Sequence, residues 1–382
     1  MIRICHVQLL PLLSSVQRAM LDLFQQLDRS RYEIHVVCKR EGPLTQELAR
    51  LQIPVHFAPS LQDSIHPWHD YQAFGQLRRI FAEHDFQIVH THSSKPGFLG
   101  RLAARRSGVP IVIHDVHGLP FNEFTAKPRR WFYEQLERYA AHQCDCMVFA
   151  NNEERELAVS RGWIPPEHCL TIFKGVDLGA VHPDHKPIYR QRYRAHWEAG
   201  EDEFVILFLG RLSQAKQPLL VAEIAARLDG LRSRKSWRLL IAGAGPYEAQ
   251  LAQAVKGSSI SHRVKMLGRQ NDPTGLVHAA DVVLSTSLFE ALPRTLIEAQ
   301  AAGVPIVASN ARGTREVVTP GTGFLCPIQH ADSYAEALAR LIDSPELRIA
   351  LGQAGRRHAE DCFDVVANNR QLVAVYESLL AS

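Results

Sequence analysis

Two glutamates eight positions apart, Glu290 and Glu298, bracket the run E-A-L-P-R-T-L-I-E. Pro293 lies between them, and an apolar run from Val282 to Leu284 precedes them. The pattern reads as strand, tight loop and helix N-terminus, with a proline able to start the helix. Such a loop aims backbone N–H groups and the positive end of a helix dipole at one point. A carboxylate on the loop and another about a turn into the helix can then hold hydroxyl groups beside a bound phosphate. That is the chemistry needed to grip a nucleotide sugar. An ordinary helix start with solvent-facing glutamates has the same spacing, so the neighbouring motifs decide between the two.

Upstream, F-V-I-L-F-L-G-R-L-S-Q-A-K ends a strand at Gly210 and places Arg211 and Lys216 on the loop before a helix near Pro218. Ligands of open α/β sheets bind at the carboxyl ends of strands. Two cations there suit a diphosphate, arginine as a fork and lysine as a point charge; two solvated cations on a surface loop are the plain alternative. The next strand ends L-L-I-A-G-A-G-P-Y. Gly243 and Gly245 resemble the start of a dinucleotide fingerprint, but Glu248 stands where its third glycine belongs. Close backbone packing beside a ligand is the better reading. Gly268 and Arg269 follow a short strand, on a loop able to hold a base by backbone hydrogen bonds. No Walker-type G-x-x-x-x-G-K-[ST] occurs.

In the first half, a strand ending at His92 runs into T-H-S-S-K-P-G-F-L-G-R. His90, His92, Ser93, Ser94 and Lys95 cluster there, and H-D-V-H-G-L-P sets His114 and His117 at the same sheet edge. The spacing permits metal ligation, but hydrogen bonding to sugar or phosphate groups is the reading preferred. Cys144 and Cys146 form a C-x-C beside His142, with no second ligand pair at zinc-site spacing. Lys127, Arg129 and Arg130 adjoin Trp131, Phe132 and Tyr133. That segment either rests on an anionic membrane surface or buries its aromatics in a core.

Short β-rich runs position these residues, alternating with helical stretches along 382 residues. Strands are expected at 2–6, 33–38, 55–58, 88–92, 111–115, 146–150 and 169–172, then at 204–209, 238–242, 264–267, 281–284 and 305–309. Helical patterns lie between, for example at 16–27 and 71–84. The alternation implies α/β architecture with doubly wound parallel sheets, and the length implies two domains. The expected division is 1–178, then 179–362 opening with a polar linker at 179–203, then a final helix in 363–382. That helix either caps the second domain or crosses back to the first. Composition is 46% hydrophobic and 22% charged with net charge +3, which gives no argument for nucleic acid. Seven cysteines without a disulfide framework suit a reducing compartment. No apolar run approaches bilayer length, so a cytoplasmic location is expected; peripheral contact at the inner face of the plasma membrane is the alternative that the basic aromatic segment leaves open.

Together these motifs resemble the large retaining glycosyltransferase family 4, with its GT-B fold of two Rossmann-like domains facing a cleft. The resemblance covers nearly the whole chain and is strongest from Gly210 to Gly323. There the pattern G-R-L…K, the strand ending G-x-G, the E-x7-E loop and A-x-G-x-P-I-V-A-S occur in order. It implies that Arg211 and Lys216 bind the donor diphosphate, that Glu290 holds donor-sugar hydroxyls, and that Glu298 holds the ribose. It implies that His117 contacts the sugar near the reacting carbon. Gly210, Gly243, Gly268, Arg269, Leu292, Pro293, Arg294 and Thr295 complete the expected donor site. Ser14, Ser15, His92, Ser93 and Lys95 are the expected acceptor contacts. Two departures stand out. Ser14 and Ser15 replace a glycine pair after the first strand, and Ala291 replaces the glycine that usually follows the first glutamate. In K-G-V-D, Lys174 stands where asparagine is usual.

The resulting expectation is a retaining, α-linking transferase of a nucleotide-diphosphate sugar, a UDP-sugar, with no cofactor. Its acceptor would be a saccharide, free or on a polyprenyl diphosphate, in surface polysaccharide synthesis. No D-x-D occurs, which fits a metal-independent site. The competing readings are a nucleotide-sugar 2-epimerase of the same fold and a non-catalytic carbohydrate-binding scaffold.

Overall fold

The computed structural model describes residues 1–197, 199–200, 202–231 and 235–382. The chain divides into two units, Met1–Lys174 with Val366–Ser382, and Gly175–Val365. The first is built on β1 (Ile2–Val7), β2 (Tyr32–Cys38), β3 (Val55–Phe57), β4 (Ile88–His92), β5 (Ile111–Val116), β6 (Cys146–Phe149) and β7 (Cys169–Thr171). These pair in the order β3-β2-β1-β4-β5-β6-β7, and every pairing is parallel. Side chains alternate across the sheet. Ile4 joins Ile34, Ile88 and Ile113 in one buried layer, while Cys5 and Val7 join Val37, Val89 and Val112 in the other.

The helix Val365–Ala381 belongs to the first layer, where Leu372 and Tyr376 are buried among the sheet's isoleucines. Its Glu377 accepts hydrogen bonds from Arg31 and from the Tyr32 hydroxyl.

The second unit carries β8 (Phe204–Leu209), β9 (Trp237–Ala242), β10 (Val264–Gly268), β11 (Val282–Ser285), β12 (Ile306–Ser309) and β13 (Gly323–Cys326). Its order is β10-β9-β8-β11-β12-β13, again all parallel. The order reverses beside β8, so the crevice at the carboxyl ends of β8 and β11 is the switch point where such sheets bind ligands. The edge strand β13 is an addition to the strands expected from the sequence. It has four residues between glycine-rich and proline-containing turns, too short for a periodic signal.

The segment 179–203 does not form the expected polar linker. It holds the helix Lys186–Trp197, whose Arg194 and Trp197 are buried. Asp281, just before β11, accepts from Arg190 at 2.6 Å, from Arg194, and from the Val205 amide at 2.8 Å. The charges that suggest solvent in the sequence instead pin this helix to the start of β8.

Candidate functional site

In the second unit, the loops after β8 and β11 are stitched together by backbone. The Leu288 amide donates to the Ala215 carbonyl at 2.8 Å, and the Thr286 hydroxyl donates to the Lys216 carbonyl at 2.7 Å. Lys216 and Glu290, 74 residues apart in sequence, form an ion pair through Lys216 Nζ and Glu290 Oε1. Ser287 Oγ donates to the same carboxylate oxygen at 2.7 Å. Lys216 extends over Gly210, where a Cβ would meet its Cε at 3.7 Å. Glu298 lies within the helix Arg294–Ala301 and is 7% exposed; Arg294 Nε donates to its Oε1 at 3.1 Å. Arg211 is exposed at the mouth of the same crevice. Pro293 is the residue before the helix, with Leu292 ahead of it and Thr295 in the first turn. Lys216, Glu290 and Glu298 thus all follow β8 or β11, the two strands at the switch point.

Two glycines make this crevice fit together. Gly243 has φ +144°, and a Cβ there would lie 1.8 Å from the Gly210 carbonyl oxygen. The G-A-G turn therefore serves the close approach of the β8 and β9 loops. Gly313 has φ +71°, and a Cβ there would lie 2.5 Å from the Glu290 carbonyl oxygen and 2.3 Å from that of Ala291. Ala291 itself does not adopt positive φ, so alanine costs the loop no backbone strain. Gly268 ends β10 with φ +64°, and Arg269 is exposed beside it. They sit two strands from β8, about 10 Å along the sheet.

In the first unit, register collects residues that sequence separates. His6 pairs with His90 across β1 and β4, and His92 pairs with Asp115 across β4 and β5. All four project from the layer of Ile4, Ile88 and Ile113, at the carboxyl ends of their strands. His6 Nδ1 lies 2.9 Å from His92 Nε2, and His92 Nδ1 lies 3.1 Å from His117 Nε2, so the three rings form a hydrogen-bonded chain. His90 Nδ1 lies 2.7 Å from the Tyr376 hydroxyl. Lys174 Nζ donates to Asp115 Oδ2 at 2.5 Å, and His117 Nε2 lies 3.7 Å from that oxygen. Burial pushes His6 down to about 3 and His117 down to about 4. It also holds His90 and His92 well below the usual histidine range. Burial works against ionised Asp115 too, but His117 and Lys174 beside it outweigh this and lower its pKa.

Sequence reading missed His6, Asp115 and the partner of Lys174. A lone histidine in an apolar strand carries no signal until register gives it neighbours. His114 does not belong to the cluster. It points into the opposite layer, 2.9 Å from Thr91 Oγ1. Ligand atoms of His6, His90 and His92 lie within 4.8 Å of one another, as do those of His92, Asp115 and His117. The set has the donor types of a transition-metal site.

The expected acceptor residues separate. Ser14, Ser93 and Lys95 line one cavity of about 560 Å³. Lys95 Nζ is held there by Asp70 at 2.7 Å and by the Ser64 carbonyl at 2.8 Å. Ser14 precedes the helix Ser15–Gln26, and its amide donates to Gln17 Oε1 at 3.1 Å. Ser15 is exposed and outside the cavity lining. His92 is 3% exposed and both its ring nitrogens are taken by other histidines, so it supports His117 rather than touching a substrate. The helix Lys127–Ala141 leaves Trp131 64% and Phe132 44% exposed, whereas Tyr133 packs against a core cluster.

Comparison with known proteins supplies the family. Residues 16–180 match Glycosyltransferase Family 4, and residues 189–358 match Glycosyl transferases group 1. The UDP-Gal:alpha-D-GlcNAc-diphosphoundecaprenol alpha-1,3-galactosyltransferase of Escherichia coli is 32% identical over 100% of this chain and 98% of its own. The chain belongs to glycosyltransferase family 4. Its fold is GT-B, shared with Anabaena HepE in complex with UDP-glucose (TM-score 0.81, 19% identity, 99% of this chain and 100% of that one). A glycosyltransferase from Rickettsia africae superposes equally well (TM-score 0.82, 18% identity, 99% and 98% covered).

The histidine chain gives this glycosyltransferase an acid-sensitive first unit. An unfolded histidine takes its proton near pH 6.5, whereas His117 in the fold does so only at about 4 and His6 at about 3. Between those values only the unfolded chain binds the protons, so stability falls as pH drops through that window. Asp115, with its lowered pKa, adds to the loss at still lower pH. His6 is faced by Phe24, His90 and His92 and interacts with Asp115 and Lys174. The unfolding midpoint should drop by at least about 5 °C from pH 7 to pH 5, and His6→Leu should flatten the drop. A midpoint independent of pH across this range would mean that the cluster is charged in the fold.

Proposed function

We propose that this enzyme transfers a hexosyl group from a UDP-sugar, with retention and α-linkage, to a saccharide carried on a polyprenyl diphosphate in bacterial surface-polysaccharide assembly. The observation that carries the reading is the ion pair of Lys216 and Glu290 at the switch point of the second unit, with Glu298 on the helix that follows the same loop. Support for the donor and acceptor classes comes from the whole-chain likeness to the E. coli enzyme, named for UDP-Gal and a diphosphoundecaprenol acceptor. No helix among the described residues is long and apolar enough to cross a membrane. Exposed Trp131 and Phe132 beside Arg129 and Lys127 suit contact with an anionic lipid surface at the inner face of the plasma membrane.

In this reading the sugar C1–phosphate bond loosens and negative charge grows on the leaving UDP. Arg211, Lys216 and the helix N-terminus at Arg294 stabilise that charge. Glu290 holds sugar hydroxyls and Glu298 the ribose. His117 stays neutral at physiological pH, because burial depresses its pKa to about 4. It therefore acts as a hydrogen-bonding group rather than a cation. The leaving phosphate takes the acceptor proton on the same face, and no cofactor or metal takes part.

Thermal unfolding against UDP, GDP, ADP, several UDP-sugars and NAD tests the donor class. A ligand at a hundred times its Kd adds about 2.7 kcal/mol. Selective stabilisation by UDP and one UDP-sugar is expected; a shift with NAD alone would overturn the reading. Glu298→Gln should weaken UDP binding about 10-fold, since a hydrogen bond to a charged group contributes roughly 1.5–3 kcal/mol. Unchanged UDP affinity, by calorimetry, would remove Glu298 from the ribose site.

A further inference from the structure

The cavity in the first unit has two chemically distinct walls. Its volume of about 560 Å³ falls in the range of small-molecule sites, about 300–1,000 Å³. One wall is apolar, formed by Leu9, Leu10, Ile65, Phe98, Phe132 and Leu136. Three of these are open to solvent: Leu10 at 44%, Ile65 at 52% and Phe132 at 44%. Exposed apolar side chains at a cavity mouth give a hydrocarbon chain a path outward.

The other wall is polar and lies at the carboxyl ends of β1 and β4. Gln8 is 2% exposed and lines the cavity. Its Oε1 accepts from the Leu9 amide at 2.7 Å, which fixes the side-chain amide. Its Nε2, a buried donor, has no partner in the protein. A buried donor left unmade costs about as much as a lost hydrogen bond, so this atom marks a place where a ligand acceptor belongs. The 13-residue helix Ser94–Arg106 begins at the same wall, with Ser94 and Lys95 in the lining. Ser93 before it holds φ +62°, an unfavourable conformation for a residue other than glycine.

Charge in the wall is mostly settled internally. Asp70 is paired with Lys95 at 2.7 Å, and Glu137 with buried Arg101 at 2.8 Å. Exposed Asp63 and Arg129 remain. The free Gln8 Nε2 donor, the amide end of a helix and Arg129 together suit a phosphate group.

We infer that this cavity binds the isoprenoid diphosphate portion of the acceptor, with its phosphate against Gln8 and the Ser94 helix start and its first hydrocarbon units along the apolar wall. The inference rests on the acceptor class proposed above and adds that the enzyme grips the carrier lipid directly, not only the sugar.

The test is calorimetric titration of the full chain with farnesyl diphosphate, farnesol and inorganic pyrophosphate, below micelle-forming concentrations. Farnesyl diphosphate should bind at least 10-fold more tightly than either fragment. The double variant Leu10→Ser/Ile65→Ser alters exposed side chains only, so the fold is retained, which circular dichroism checks. It should lose about 10-fold in farnesyl diphosphate affinity while pyrophosphate affinity holds. Gln8→Leu should weaken farnesyl diphosphate but not farnesol. Equal binding of farnesyl diphosphate and either fragment, no binding, or an unaffected double variant would each overturn the inference. UDP titrated into the same protein separates the two levels. Loss of UDP binding would sink the proposed function, whereas UDP binding without farnesyl diphosphate binding would sink only the lipid grip.

Discussion

Lys216→Ala should lower turnover of the UDP-sugar about 100- to 1,000-fold while hardly changing the unfolding midpoint. A preorganised donor aimed at charge that develops in the transition state contributes roughly 2.7–4 kcal/mol. Lys216 is placed for that work: its alkyl chain lies over Gly210 and its ammonium reaches the crevice between β8 and β11. Its contribution to folding is small by comparison. The Lys216 side chain is 28% exposed and its ion pair with Glu290 is partly solvated, so the pair contributes about 0–1 kcal/mol to stability. Removing the lysine leaves Glu290 still hydrogen-bonded by Ser287. Turnover is followed as transfer or as donor hydrolysis, and the midpoint is read on the same preparation. Survival of turnover within about threefold would take Lys216 out of the diphosphate site. Lys216→Arg keeps the charge but changes its shape, and should fall between the two.

Asp281→Ala should destabilise the second unit by about 3–5 kcal/mol, the cost of breaking a buried ion pair from one side. Asp281 holds Arg190, Arg194 and the Val205 amide at once. Burial alone would raise its pKa, but Arg194 and Arg190 bring it below the usual carboxylate value. Without the carboxylate, the Arg194 side chain, 7% exposed, loses the anion it pairs with and keeps its hydrogen bonds to the Gly200 and Glu203 carbonyls. Replacing Asp281 and Arg194 together by leucine and methionine should recover part of the loss, because apolar packing can substitute for a buried pair. A chemical denaturation midpoint unchanged in Asp281→Ala would show that the helix Lys186–Trp197 does not depend on this anchor.

That helix also marks a limit of sequence reading. Arg190 and Arg194 look like the charges of a solvated linker beside Pro183 and Pro187. Yet Tyr189, Tyr193 and Trp197 recur every four residues, and they stack at 6.3 and 5.4 Å between ring centroids. The helical period was present and the charge count obscured it. The crevice at the switch point of the second unit was legible because each of its parts follows a strand end, and strand ends are what periodicity reveals. Gly313 was not legible as part of it, because its need for a bare Cα comes from Glu290 and Ala291, which pass it only in the folded chain. The loop after β1 behaves similarly. Its expected glycine pair is Ser14 and Ser15, and the close backbone approach occurs at Gly42 instead, where a Cβ would lie 2.6 Å from the Pro11 carbonyl. The histidine chain was half legible: His92 and His117 showed in motifs, whereas His6 and Asp115 join them only through register.

The return of the helix Val365–Ala381 to the first unit sets an order of assembly on the ribosome. The first unit is begun by residue 1, yet Leu372 and Tyr376 complete its core and Tyr376 caps His90. The whole of Gly175–Val365 is synthesised in between. The unit made of one continuous segment can therefore finish folding first. The unit begun earlier waits with an apolar layer uncovered, and it is the one that chaperones would have to shield during synthesis.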